Sequence, residues 1–280
     1  MPNYKDTTYT GERVLFAEKD IEVINCVFED GESPLKESRN IKLSKCEFKW
    51  KYPVWYAKDV LMENCTLRET ARSGIWYTKN IVMRNCLIEA PKTFRYAEKV
   101  VLEGTDIVNA KETLWNSKDI KVFKAKINGD YFGFHSENIE IDNVELNGNY
   151  AFDSAKNIVV TNSILYSKDS FWNAENVTII NCTIIGEYLG WNSKNVKLVN
   201  CHIESHQALC YMDDVKLINC ELVNSDLCFE YCTNIFAEIT TEIDSVKNPY
   251  SGMIKAKAIK ELIMDEKFVD PRKTVIKVNK

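Results

Sequence analysis

The chain has 280 residues, 36 Lys and Arg against 41 Asp and Glu for a formal net charge of -5, and 45% hydrophobic residues. That composition belongs to a folded chain rather than a disordered one, and its acidic balance argues against nonspecific nucleic-acid binding. No run of 18 apolar residues exists and Met1-Pro2-Asn3-Tyr4 lacks an apolar signal core, so the expectation is a cytoplasmic protein with neither nucleic acid nor membrane as partner.

Residues 1-19 read as an N-terminal cap, in which Gly11 to Phe16 adds an incomplete coil. Covering the end matters, because an open terminal coil is a template for pairing with another chain. From Asp20 a repeat takes over and returns every 19 to 21 positions, anchored at Asp20, Asn40, Asp59, Asn80, Lys99, Asp119, Asn138, Asn157, Asn176, Asn195, Asp214 and Asn234. One residue after each anchor stands Ile or Val without exception, and three after it another apolar residue, as in Val23, Leu43, Met62 and Met83. These two columns alternate with polar residues, which is the pattern of an inward strand face.

Five residues past the anchor, Asn25, Asn64, Asn85, Asn143, Asn162, Asn181, Asn200 and Asn219 mark a bend, since Asn tolerates the left-handed backbone that a sharp corner needs. The next position holds compact residues, and seven of the ten cysteines fall there: Cys26, Cys46, Cys65, Cys86, Cys182, Cys201 and Cys220. Two further on, Phe28, Phe48, Leu67, Ile88 and their equivalents begin a second inward face. The cysteines read as packed free thiols, because side chains stacked parallel and in register do not reach the torsion of a disulfide. Cys210, Cys228 and Cys232 lie outside the column, and with no CxxC pair joined to a histidine no metal site is expected.

Residues 20-242 form the regular body, and residues 243-280 a degenerate last coil and C-terminal cap. Within that tail, 261-268 has helical spacing and reads as a capping turn that Pro271 stops, and 274-278 reads as a last strand. A unit this short cannot bury its apolar side alone, whereas stacked copies bury a continuous core. The fold class expected is all-β: a single-stranded, right-handed parallel β-helix of about 12 coils, forming one domain over residues 1-280. Pentapeptide repeats are excluded because spacings of 19 and 21 break a five-residue frame.

The Asn-Cys-x-Leu/Ile ladder, the tracts at 115-119 and 191-195, and the segment Ser73-Gly74-Ile75-Trp76 resemble the bacterial family known as domain of unknown function 3737, over essentially the whole chain. More distantly, the coil plan is similar to the pectate-lyase-like right-handed β-helix superfamily, which contains polysaccharide lyases, glycosidases and adhesins. The resemblance implies the fold and leaves activity to be argued from a site.

One column is not explained by the core. Four residues before the anchor stand Phe16, Lys36, Trp55, Trp76, Arg95, Trp115, Phe134, Asp153, Trp172, Trp191, Cys210 and Glu230, which include five of the six tryptophans. The residue before each points inward, so this column is expected to form an outward strip on which sugar rings stack, with polar side chains such as Tyr56, Tyr77, Tyr96, His135, Asn173 and Asn192 beside it. A kinked strand would instead turn the same rings into the core.

The binding site expected is therefore Trp55, Trp76, Arg95, Trp115, Phe134, His135, Asp153, Trp172, Asn173, Trp191, Asn192 and Glu230, with no cofactor and no metal. Glycoside hydrolysis needs two neighbouring carboxylates, and the strip offers only Asp153 and Glu230, four coils apart; Asp130, Asp153 and Asp169 read as solvated turn residues. The function expected is a non-catalytic scaffold for an oligosaccharide or other extended ligand. A protein-interaction rod, with a homo-oligomer through the strip, is the first alternative, and a polysaccharide lyase or glycosidase the second.

Overall fold

The structure, a computed structural model, describes residues 2-278. These fall into two compact units, one up to Val144 and one from Glu145 onward, each a stack of the same coil. Each is a parallel β-solenoid, with about 15 turns counted over both.

In the first unit the longest strand of each coil begins just before the anchor: Lys19–Ile24, Arg39–Ser44, Lys58–Glu63, Lys79–Arg84 and Glu98–Glu103. They pair parallel and in register, Ile21 on Ile41, Ile41 on Val60, Val60 on Ile81 and Ile81 on Val100. A second, two-residue strand follows each, as in Val27–Phe28 and Glu47–Phe48. The apolar columns of both strands are buried, so like stacks on like along the coil axis. In the second unit Lys156–Thr161, Glu175–Ile180, Lys194–Val199 and Asp213–Val223 repeat the arrangement.

The corners explain why the repeat is rich in Asn. All eight asparagines five residues past the anchor have φ between 50 and 55°. The anchor is itself a left-handed corner, from Asp20 at φ 55° to Asn234 at φ 53°. A third corner falls three residues before the anchor, where Tyr56, Tyr77, Tyr96, Tyr211 and Tyr231 have φ between 50 and 59°. A fourth falls seven residues before the anchor, from Arg13 at φ 55° to Leu227 at φ 47°, so the coil turns at four left-handed points, of which only the first is legible as a bend from residue type.

The Cys column has a polar reason as well as a steric one. Cys46 Sγ donates to the carbonyl oxygens of Val23 and Ser44 at 3.4 Å each. Cys65 Sγ accepts from the amide of Cys46 at 3.4 Å. Where the cysteines stop, Thr105 Oγ1 takes over, accepting from the amide of Cys86 at 3.3 Å and donating to Met83 O at 3.2 Å. In ten of the twelve coils the position holds a small side chain that can both donate and accept, Cys, Thr or Ser, while Ala125 and Val144 fill it by size alone. All ten cysteines are free and buried.

The ends differ from the sequence expectation. The N-terminal cap carries a strand of its own, Asn3–Lys5, paired with Lys19–Ile24 through Tyr4 on Val23. At the other end Gly252–Ala256 and Thr274–Val278 pair with each other. These three strands raise the count of turns from 12 to about 15. The helical spacing over 261-268 does not produce a helix, because Ala258–Ile263 is drawn into parallel pairing with Glu242–Lys247. The helical turn lies later, at Pro271–Lys273, where Pro271 starts it and Asp270 caps it rather than Pro271 ending it. Close approach explains Gly31: at φ 128° a Cβ there would lie 2.0 Å from Gly11 O.

A candidate binding ladder of aromatic and cationic side chains

The tryptophan column of the first unit is neither free in solvent nor in the core. Trp55, Trp76, Arg95, Trp115 and Phe134 are each half-buried and stacked along the coil axis. The Trp55 and Trp76 rings lie 5.5 Å apart at an interplanar angle of 10°. The Arg95 guanidinium sits 4.9 Å from Trp76 and 4.5 Å from Trp115, a cation held between two indole faces. Trp115 continues onto Phe134 at 4.9 Å.

The indole N–H groups tie this stack to the backbone. Trp76 Nε1 donates to Lys92 O and Trp115 Nε1 to Tyr131 O, both at 2.8 Å, and Trp55 Nε1 donates to Ser73 O. Arg95 Nη2 pairs with Glu112 Oε2 at 2.8 Å, and Lys92 reaches the same carboxylate at 3.0 Å. Burial alone would raise the Glu112 pKa, yet Lys92 and Arg95 hold it below the usual carboxylate value. Because each ring covers the faces of its neighbours, the column offers edges rather than faces to a sugar.

The exposed ladder is one residue further on. Tyr56 and Tyr77 stack at 4.7 Å and 8°, Tyr77 and Tyr96 at 5.2 Å and 4°. Tyr56 and Tyr96 are each 49% exposed. Their edges rest on the tryptophans, at 6.3 Å for Trp55 with Tyr56 and 6.5 Å for Trp76 with Tyr77. The coil after Tyr96 has Asn116 at the corner, which brings no ring over it. His135 is exposed, with its ring 4.2 Å from that of Phe134. Sequence reading saw these tyrosines only as polar flanks of the tryptophans, since nothing in residue type says which of two adjacent columns a corner turns outward.

In the second unit the column is less regular. Trp172 lies 5.9 Å from Tyr150, and Trp191 stacks on Tyr211 at 5.0 Å, followed by Tyr231 and Tyr250 at 5.2 Å each. Asn192 Nδ2 donates to Asn173 Oδ1 at 2.7 Å, an exposed amide ladder at the corner where the first unit has tyrosines. Asp153 accepts from Ser154 Oγ at 2.7 Å. Glu230 is buried and engaged, paired with Lys247 at 2.8 Å and accepting from Gln207 Nε2. Asp169 is buried too, and desolvation, reinforced by Glu187 and Asp153 against the opposing Lys168, pushes its pKa up to about 6. Among the described residues no group of three or more His, Cys, Asp or Glu is placed to hold a metal ion. No helix among them is long and apolar enough to cross a membrane.

Several solved structures are similar to the chain. The surface adhesin PfbA of Streptococcus pneumoniae is 10% identical, covering 78% of this chain and 71% of that one with a TM-score of 0.42. The A-module of the mannuronan C-5 epimerase AlgE4 of Azotobacter vinelandii is 10% identical over 99% and 89%, with a TM-score of 0.35. QnrB1, a plasmid-mediated fluoroquinolone resistance protein, is 14% identical over 80% and 92%, with a TM-score of 0.24. No curated protein matches the sequence. The family described as protein of unknown function, DUF3737, matches residues 2–277, and the chain belongs to it.

Proposed function

We propose that the protein is a non-catalytic scaffold that holds an extended, carbohydrate-like ligand along the outward ladder of Tyr56, Tyr77 and Tyr96, with the tryptophan and arginine stack as its rigid base. The observation that carries this reading is the backbone under the tyrosines. All three occupy the left-handed region, at φ 55, 59 and 50°, which costs a bulky residue about 1 kcal/mol or more and suits Asn far better. The second unit uses the cheaper residue at two of its equivalent corners, Asn173 and Asn192, and keeps tyrosine at two others, Tyr211 and Tyr231. A chain that places three stacked phenols, the outer two exposed and Tyr77 half-buried between them, where Asn would relieve strain has a use for the rings, and the amphipathic edge of tyrosine is suited to sugar hydroxyls.

The discriminating variant is the double substitution Tyr77→Asn and Tyr96→Asn. It removes the rings and relaxes two corners, so the thermal midpoint is expected to hold or rise while binding to a panel of neutral and acidic hexasaccharides, followed by calorimetry, falls at least tenfold. Undiminished affinity in the folded variant sinks the reading.

Asp169 favours a second reading, in which a carboxyl that keeps its proton up to about pH 6 serves as general acid toward a bound glycan in mildly acidic solution. Turnover of an oligosaccharide that disappears in Asp169→Asn while binding persists would establish it. The ten free thiols suit a reducing compartment, which supports a cytoplasmic location for the scaffold.

A further inference from the structure

The charged column that opens each long strand follows a rule and then breaks it. From Lys79 onward it alternates in sign: Lys79 pairs with Glu98 at 3.0 Å, Glu98 is in register with Lys118, and Lys118 pairs with Glu137 at 3.5 Å. The second unit keeps the rule, with Lys156 to Glu175 at 3.1 Å, then Lys194 and Asp213 in register. Neighbouring columns obey it as well, with Arg68 between Glu47 and Glu89, and Arg84 between Glu63 and Glu103. Opposite charges in register stabilise a parallel ladder, and like charges in register destabilise it.

At the start of the first unit the same column reads Lys19, Arg39, Lys58, Lys79, four cations directly in register. All four are exposed, and Lys19, Arg39 and Lys58 form no ion pair among the described residues. The carboxylates one residue along do not neutralise them by contact: Asp20 accepts from Asn40 at 2.6 Å and Asp59 from Asn80 at 2.7 Å. Lys36 adds a further cation, 5.7 Å from the Tyr56 ring and only 3.9 Å from Glu37. Lys19, Lys36, Arg39 and Tyr56 line one cleft of about 680 Å³, together with Ala17 and Glu37. The rail, in which only Lys79 is paired, and the tyrosine ladder thus share a surface.

Building on the scaffold reading, we infer that the ligand of the tyrosine ladder is an anionic oligosaccharide, whose carboxylate or sulfate groups lie on the rail of Lys19, Arg39, Lys58 and Lys79. Coils about 4.8 Å apart offer one cation per step, a regular row of charge suited to a chain that carries acid groups at regular intervals. The rings already cover one another, so the ladder has no slots for the stacked bases of a single-stranded nucleic acid.

The test compares three probes by calorimetry: a hexasaccharide of 1,4-linked uronic acid, its neutral methyl ester, and a sulfated neutral hexasaccharide. Each is titrated at low and high salt into the wild-type chain, Arg39→Gln, and Lys156→Gln as a control in a column that is already paired. The acid or the sulfate is expected to bind at least about tenfold tighter than the ester, with that advantage lost in high salt and in Arg39→Gln but not in the control. Which of the two binds names the acid group. Equal binding of acid, sulfate and ester, abolished by the tyrosine double variant, overturns the anionic ligand and leaves the scaffold standing. A single-stranded oligonucleotide that binds more tightly than any sugar overturns the ligand class. Failure of all three sugars to bind the folded chain overturns both.

Discussion

Asp169 stands at a left-handed corner, φ 51°, with its amide donating to Glu187 O at 2.8 Å, and this backbone tie draws its carboxyl below the surface. A carboxyl whose folded pKa is raised from 3.8 to about 6 prefers its protonated form in the folded state. Both states are neutral below about pH 4, so it costs nothing there; between pH 4 and 6 the unfolded chain ionises first, and stability is lost as pH rises through that window. Asp169→Asn is therefore expected to leave stability unchanged at pH 4 and to raise it by about 1 to 3 kcal/mol at pH 7, read from urea unfolding at the two values. A constant difference across the range would contradict this origin. Sequence reading took Asp169 for a solvated turn residue, since an Asp in a turn is commonly exposed. Its depth is decided by which way the corner faces, and the same limit hid the outward tyrosines, because Tyr is not a residue whose type announces a left-handed bend.

At the scale of the strand ladders, residue type was a good guide. Column by column, the β-branched positions, the Asn corners and the Cys positions are legible because every coil repeats them and neighbouring coils stack like on like. What the periodicity did not show is why the Cys column accepts Thr105 and Ser163, which is a matter of hydrogen bonding rather than of size. Cys65 Sγ donates to Leu43 O at 3.5 Å and to Glu63 O at 3.4 Å, and receives the Cys46 amide. Cys65→Thr and Cys65→Val have nearly the same shape and differ by one hydroxyl. The Val variant leaves a buried amide without an acceptor and is expected to be about 1 to 2 kcal/mol less stable than the Thr variant by chemical denaturation. Equal stabilities would mean that the column is purely steric. All ten thiols are buried, so a disulfide reagent is expected to label none of them until the chain unfolds.

For the molecule as a whole, the repeat spacing matters more than any one contact. In a solenoid each coil touches chiefly the coil before and after it, so stability is close to a sum of coil and neighbour contributions and a complete coil is a removable unit. Deleting residues 40-58 from the first unit joins Arg39 to Asp59, an anchor to replace an anchor, and sets Ile21 opposite Val60 with every column in phase. This deletion is expected to keep the β-sheet circular dichroism and a cooperative melt, with a midpoint lowered by less than about 10 °C. Deleting only 40-49 removes about half a coil, carries Lys51 and Pro53 into the positions of Ile41 and Leu43, and is expected to abolish the melt. The full-coil deletion also takes Tyr56 and Lys58 out of the ladder and the rail. A folded protein that has lost affinity for the acidic hexasaccharide would separate the scaffold, which tolerates loss of a coil, from the binding surface, which depends on how many coils carry a ring and a cation.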